Sequence, residues 1–134
     1  MALLRKVDSI QLAVPDLAAG LDFYCNKLGH QLLWRTPVAA GLALPDSDAE
    51  IVLQTERQGL EVDFLVPSAD EAAATFQAVG GTVVVPPFDI PVGRCVVVAD
   101  PWQNQYVLLD TRNGSFVTAA DKNVIGVEQR DNRA

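Results

Sequence analysis

A chain of 134 residues has the length of one ordinary domain and can bury a core without disulfides or metals to hold it together. Its 49% hydrophobic and 20% charged residues are those of a soluble globular protein, not of a disordered one. The formal charge of -7 argues against nucleic acid, which is held by clustered Lys and Arg, and favours neutral or cationic partners.

The opening MALLRKV is too short an apolar run for a secretion signal, and no stretch approaches the ~20 apolar residues of a membrane span, so a cytoplasmic location away from membranes is expected. SIQLAV alternates, with Ile10, Leu12 and Val14 on one face and Ser9, Gln11 and Ala13 on the other, which predicts a strand. Asp16 then caps a helix that places Leu17, Leu21, Tyr24 and Leu28 on one stripe and stops at Gly29. Three short strands follow, in HQLLWRT, AGLAL and EIVLQTE.

The second half repeats this order. EVDFLV alternates Val62, Phe64 and Val66 against Glu61, Asp63 and Leu65, and the Val14-Pro15 pair recurs as Val66-Pro67. Ser68 with Glu71 forms a capping-box signature for a helix whose inner stripe is predicted as Ala72, Phe76 and Val79, ending at Gly80-Gly81. Three more strands are predicted in TVVVPPF, RCVVVAD and NQYVLLD, with the proline-rich PPFDIPVGRC read as an irregular connection. Beyond Thr111, NGSFV and NVIGVE are expected to pair as a hairpin through Asn113-Gly114, with QRDNRA frayed. Cys25 and Cys95, without a Cys-x-x-Cys or a nearby His, read as buried free thiols.

IQLAVPDLAAGLDFYCNKLG and VADPWQNQYVLLD, each at the matching point of its repeat, resemble the glyoxalase/bleomycin-resistance/dioxygenase, or vicinal oxygen chelate, superfamily. The resemblance covers residues 7 to about 110. It implies an α+β fold of two tandem βαβββ modules, about 7–56 and 60–110 with a tail at 111–134, in a single domain. The modules would pair into a half-open barrel with a concave cleft, and the protein would form a homodimer. Gln103 departs from the family's Asp-Pro-x-Gly-Asn connection, where Gly permits a positive φ.

Metal-dependent relatives carry His and Glu ligands at positions that correspond here to Ser9, Val52, Glu61 and Val107. Only Glu61 has a side chain suited to a metal, so no metal and no cofactor are expected. His30, the single histidine, lies away from these positions and reads as a strand-edge residue.

With the apolar strand faces on the helices, the opposite faces would line the cleft with Ser9, Gln11, Val52, Gln54, Glu61, Asp63, Gln105 and Val107. Trp34 offers a flat surface there or fills core, and Trp102 sits at a hairpin tip. Glu61 and Asp63 form an acidic pair that could hold a cation, act as a general base or simply be solvated. Arg35 and Arg94 could orient an anion or be paired.

The leading expectation is a metal-independent protein that binds a small cationic or aromatic ligand. The alternative is a lyase or isomerase of glyoxalase type with Glu61 or Asp63 as base, for which no His or Lys constellation stabilises an enolate. A third reading is an interaction module whose cleft is closed by Val52, Val107 and Trp34.

Overall fold

The computed structural model describes residues 2–129, and these divide into two compact units. The first comprises Asp8–Val62 with Val117–Gly126; the second comprises Asp63–Phe116 with the chain up to Val7 and from Val127. The fold is α+β and repeats one βαβββ order. The first repeat runs β1 (Lys6–Ala13), α1 (Leu17–Leu21), β2 (Leu32–Arg35), β3 (Ala39–Leu44) and β4 (Ser47–Gln54). The second runs β5 (Glu61–Leu65), α2 (Ala69–Ala78), β6 (Thr82–Ile90), β7 (Gly93–Ala99) and β8 (Gln105–Asp110).

In the first module, β2, β3 and β4 form an antiparallel meander, and β1 lies parallel to β4 with Ser9 opposite Glu50 and Gln11 opposite Val52. The second module repeats this arrangement: β6, β7 and β8 are antiparallel, and β5 lies parallel to β8 with Asp63 opposite Val107. The parallel pair in each module needs a crossover, and the intervening helix and strands supply it.

Each module buries one sheet face under its helix. In the first, Leu17, Ala40, Leu42 and Leu53 pack with Leu12, Val14, Leu21, Tyr24 and Ile51. Asp16 caps α1 by accepting from the Ala19 N–H at 2.9 Å. The stripe then breaks, because Asp22–Lys27 is a π-helical stretch, with the Leu28 N–H bonded to the Phe23 carbonyl. A wider turn rotates later residues off a 3.6-residue stripe. Leu28, predicted inside, is therefore 54% exposed.

In the second module, Ala69, Ala72, Ala73 and Phe76 pack on Val66, Val96, Val98 and Leu108. Ser68 caps α2 by accepting from the Glu71 N–H at 3.2 Å. Val79 is the C-cap of α2, beyond its last regular turn, and is 76% exposed instead of on the inner stripe. Gly29 and Gly80 end the two helical segments at φ +84 and +103.

The strand predicted in TVVVPPF forms through Pro86 and Pro87 and continues to Ile90, so of the stretch read as an irregular connection only Pro91-Val92 is a turn, before β7 begins at Gly93. Among the described residues β6 pairs only with β7, and its register shifts between Val83 and Val85 and again between Val85 and Phe88. Proline, which has no N–H to donate, is tolerated at such bulged edges.

The tail forms a hairpin of β9 (Ser115–Thr118) and β10 (Val124–Glu128), but its turn is at Ala119–Asn123, not at Asn113-Gly114. Asp121 shapes that turn by accepting from the Asn123 N–H at 3.0 Å, and Lys122 takes φ +73. The expectation for QRDNRA falls almost wholly outside the described residues. Among the described residues, no helix is long and apolar enough to cross a membrane.

Candidate functional site

The face of the first module turned away from α1 is built by alternation. Trp34 on β2, Gly41 on β3, Val52 on β4 and Gln11 on β1 lie in one row of the pairing register, and Ser9 lies opposite Glu50. The alternation Ala39, Gly41, Ala43 leaves nothing larger than a methyl on this face of β3, while Ala40 and Leu42 point into the core. The Trp34 indole occupies the resulting space. A Cβ at Gly41 would collide with Trp34 Nε1 and lie 2.6 Å from Glu50 Oε1.

Trp34 Nε1 donates to Glu50 Oε1 at 2.8 Å, and both residues are half-buried. Burial pushes the Glu50 carboxyl above its usual range; the Trp34 hydrogen bond opposes this and the Asp8 charge reinforces it. Glu50 was absent from the sequence-derived candidates, although its alternation with Val52 and Gln54 places it on their face. Ser9 and Val52 are buried.

Gln54 is committed elsewhere. Its Oε1 accepts from the Glu56 and Arg57 N–H groups at 2.7 and 2.8 Å, and its Nε2 donates to the Arg57 carbonyl at 2.7 Å. The buried amide thus shapes the turn after β4. That turn aims Arg57, whose Nε lies 3.2 Å from Glu61 Oε1 and whose Nη2 donates to Gln11 Oε1. Glu61 therefore already holds a cation.

The matching face of the second module is different. Val107, Cys95 and Leu109 are buried, and the half-buried Leu65, Ile90 and Val97 pack against them. Asp63, also buried, sits beside Val107 in the parallel register. Gln105 is exposed at the start of β8, and Trp102, 79% exposed, is at the tip of the β7–β8 hairpin.

That hairpin is organised by Asp100. Its Oδ1 accepts from the Trp102 and Asn104 N–H groups, each at 2.9 Å, and its Oδ2 from Asn104 Nδ2 at 2.8 Å. Gln103 adopts φ +71, the conformation for which glycine is the easier residue. VADPWQNQYVLLD thus serves here as a turn and a core strand.

Arg94 is paired, with Asp70 at 3.1 Å and Asp89 at 2.8 Å. His30 Nδ1 lies 3.0 Å from the Ala43 carbonyl. Among the described residues neither Cys25 nor Cys95 forms a disulfide; Cys95 is buried and Cys25 half-buried, where burial pushes its thiol up.

A duplicated βαβββ chain whose repeats each set a parallel strand pair beside a meander defines the architecture. The glyoxalase/bleomycin resistance protein/dioxygenase superfamily profile matches residues 6–108, and the chain belongs to that superfamily. No curated protein matches its sequence. Methylmalonyl-CoA epimerase from Mycobacterium tuberculosis has a similar fold, with TM-score 0.70 and 19% identity over 82% of this chain and 90% of that one. A Mn(II)-bound glyoxalase from Novosphingobium aromaticivorans is similar over 99% of this chain and 44% of that one, with TM-score 0.62 and 15% identity. Homoprotocatechuate 2,3-dioxygenase from Brevibacterium fuscum gives TM-score 0.61 and 21% identity over 81% of this chain and 37% of that one. At these identities the likeness is one of fold.

The glyoxalase of similar fold is Mn(II)-bound, which makes the donor set of this chain a direct test. At the four positions that the resemblance assigns to ligands, Ser9, Val52 and Val107 offer no imidazole or carboxylate, and Glu61 is held by Arg57. Among the described residues, no group of three or more His, Cys, Asp or Glu side chains is placed to hold a metal ion. The residues do not fit the family's metal.

Proposed function

We propose that this chain is a metal-independent, small-molecule-binding member of the superfamily, taking a cationic or aromatic ligand on the polar face of its first module and working as a homodimer. The observation that carries the reading is the donor set: Val52 and Val107 have no donor atom, Ser9 offers only a neutral hydroxyl where imidazole or carboxylate would be wanted, and Glu61 is engaged by Arg57. Support for an aromatic or cationic ligand comes from the half-buried Trp34 beside a carboxylate and from the net charge of -7. The lyase or isomerase reading has Glu61 or Asp63 as base. It needs an electrophile to stabilise the enolate, and the guanidinium near Glu61 is bound to Glu61 itself.

The test is elemental analysis of purified, tag-free protein, followed by calorimetric titration with Ni, Zn, Mn and Fe(II). The expected outcome is no binding at micromolar metal. Stoichiometric binding of any of the four would overturn the reading and give the lead to a metal-dependent enzyme. Sizing chromatography tests the dimer separately.

A further inference from the structure

We infer that Trp34 and Glu50 together form the recognition element for an organic ammonium group, with the indole as a fixed aromatic platform and Glu50 as the countercharge. The inference deepens the metal-free binding reading above and rests on it. Its ground is the way the two side chains are held. The small residues of β3 let the indole lie over Gly41, and the 2.8 Å bond from Nε1 to Glu50 Oε1 fixes both partners. An immobilised ring loses little rotamer freedom when a ligand arrives.

That bond uses one carboxylate oxygen. Among the described residues, Glu50 Oε2 accepts no hydrogen bond and Glu50 has no ion pair, and Arg57 is engaged by Glu61 and Gln11. A half-buried carboxylate without a cation bears a desolvation cost that a bound ammonium would offset. Asp8 adds negative potential at Glu50, which favours a cation and disfavours an anion. A neutral aromatic could stack on Trp34 but would leave the carboxylate uncompensated. An ammonium attached to a ring or short alkyl group satisfies both elements, because ammonium groups bind aromatic faces as well as carboxylates.

The experiment uses the full chain carrying Trp102→Phe, which leaves Trp34 as the sole tryptophan. Benzylammonium, benzyl alcohol and benzoate are titrated by Trp34 emission and by calorimetry, with and without Glu50→Gln. That substitution keeps an oxygen to accept from the indole N–H, and an unchanged Trp34 emission maximum in unliganded protein reports that the platform is intact. Benzylammonium is expected to bind at least tenfold more tightly than benzyl alcohol, with benzoate weakest, and Glu50→Gln is expected to erase the ammonium preference.

If Glu50→Gln itself shifts the emission, Trp34→Phe read by calorimetry replaces it, with an expected loss of benzylammonium affinity of at least fivefold. Equal binding of the alcohol or benzoate, or a preference that survives these substitutions, overturns the inference and leaves metal-free binding standing. Absence of binding by all three probes also overturns it. Stoichiometric metal in the titration above would bring down the underlying reading as well.

Discussion

The two modules share a scaffold and differ in what their second sheet faces carry. In the first, that face holds an indole, a half-buried carboxylate and a buried serine, with an amide and a guanidinium organising the turn beside them. In the second, the corresponding strands bury Val107, Leu109 and Cys95, and the half-buried Leu65, Ile90 and Val97 pack against them. A duplicated fold needs only the helix-facing half of each strand to stay apolar, and both modules keep it. The other half can differ: here the first module carries an indole, a carboxylate and a serine on it, and the second is mainly aliphatic, with the buried Asp63 as its charged member.

The polar group on which the second module depends lies at its strand end, where Asp110 is buried. Its Oδ2 accepts from the Ala69 N–H at the start of α2, its Oδ1 from the Arg94 N–H on β7, and Arg112 bridges to both oxygens. Burial pushes this carboxyl up, but the Arg112 guanidinium and the N–H groups of Ala69, Arg112 and Arg94 outweigh it and hold Asp110 at about 2.

Removing that acceptor has the largest expected effect. Asp110→Ala is expected to cost about 2–4 kcal/mol in urea unfolding, since it leaves the Ala69 and Arg94 N–H groups without their acceptor and Arg112 with Asp70 alone. A cost below about 1 kcal/mol would mean that apolar packing alone holds the second module. The same carboxyl sets an acid limit. Its folded value lies below the usual 3.8, so its contribution is complete above that value and is lost as pH falls toward about 2. Urea midpoints measured from pH 6 to 2 are expected to drop less steeply in Asp110→Asn than in the unaltered chain.

The first module should be sensitive at Gly41 instead. Gly41→Ala drives a methyl into Trp34 and is expected to cost about 1–3 kcal/mol, with a red shift in Trp34 emission as the indole leaves Glu50. An unshifted spectrum would mean the indole is not pinned there. The smallest effect is expected at the hairpin. Gln103→Gly should raise stability by up to about 1 kcal/mol by relieving the positive φ, measurable as a higher thermal midpoint.

Much of the scaffold was legible in the chain, because strand alternation, Asp16, Ser68, Gly29 and Gly80 are local signals that the structure uses locally. Leu28 and Val79 misled for a physical reason: a helical stripe continues only while the pitch does, and a π-helical stretch or a C-cap ends it. The strand in TVVVPPF was legible, but its continuation to Ile90 was not, because a run of prolines argues against a central strand while a bulged edge tolerates it.

The site was harder to read. Gln54 and Glu61 were named for their chemistry, yet their partners are set by a turn that brings Arg57 to Gln11, and no periodicity encodes that. Glu50 could have been found by alternation. Its link to Trp34 depends on a strand register and on a glycine between them, which only the folded pairing supplies.

The cap that Asp110 provides comes from far along the chain, 41 residues after the N–H it accepts. Ser68 can begin α2 from within the helix segment, whereas this second acceptor arrives only once β8 has found its neighbours. Interactions that join distant segments close late, after the loop entropy between them has been overcome. Loss of the Asp110 cap should therefore speed unfolding far more than it slows folding, which makes this carboxylate a latch on the lifetime of the native state.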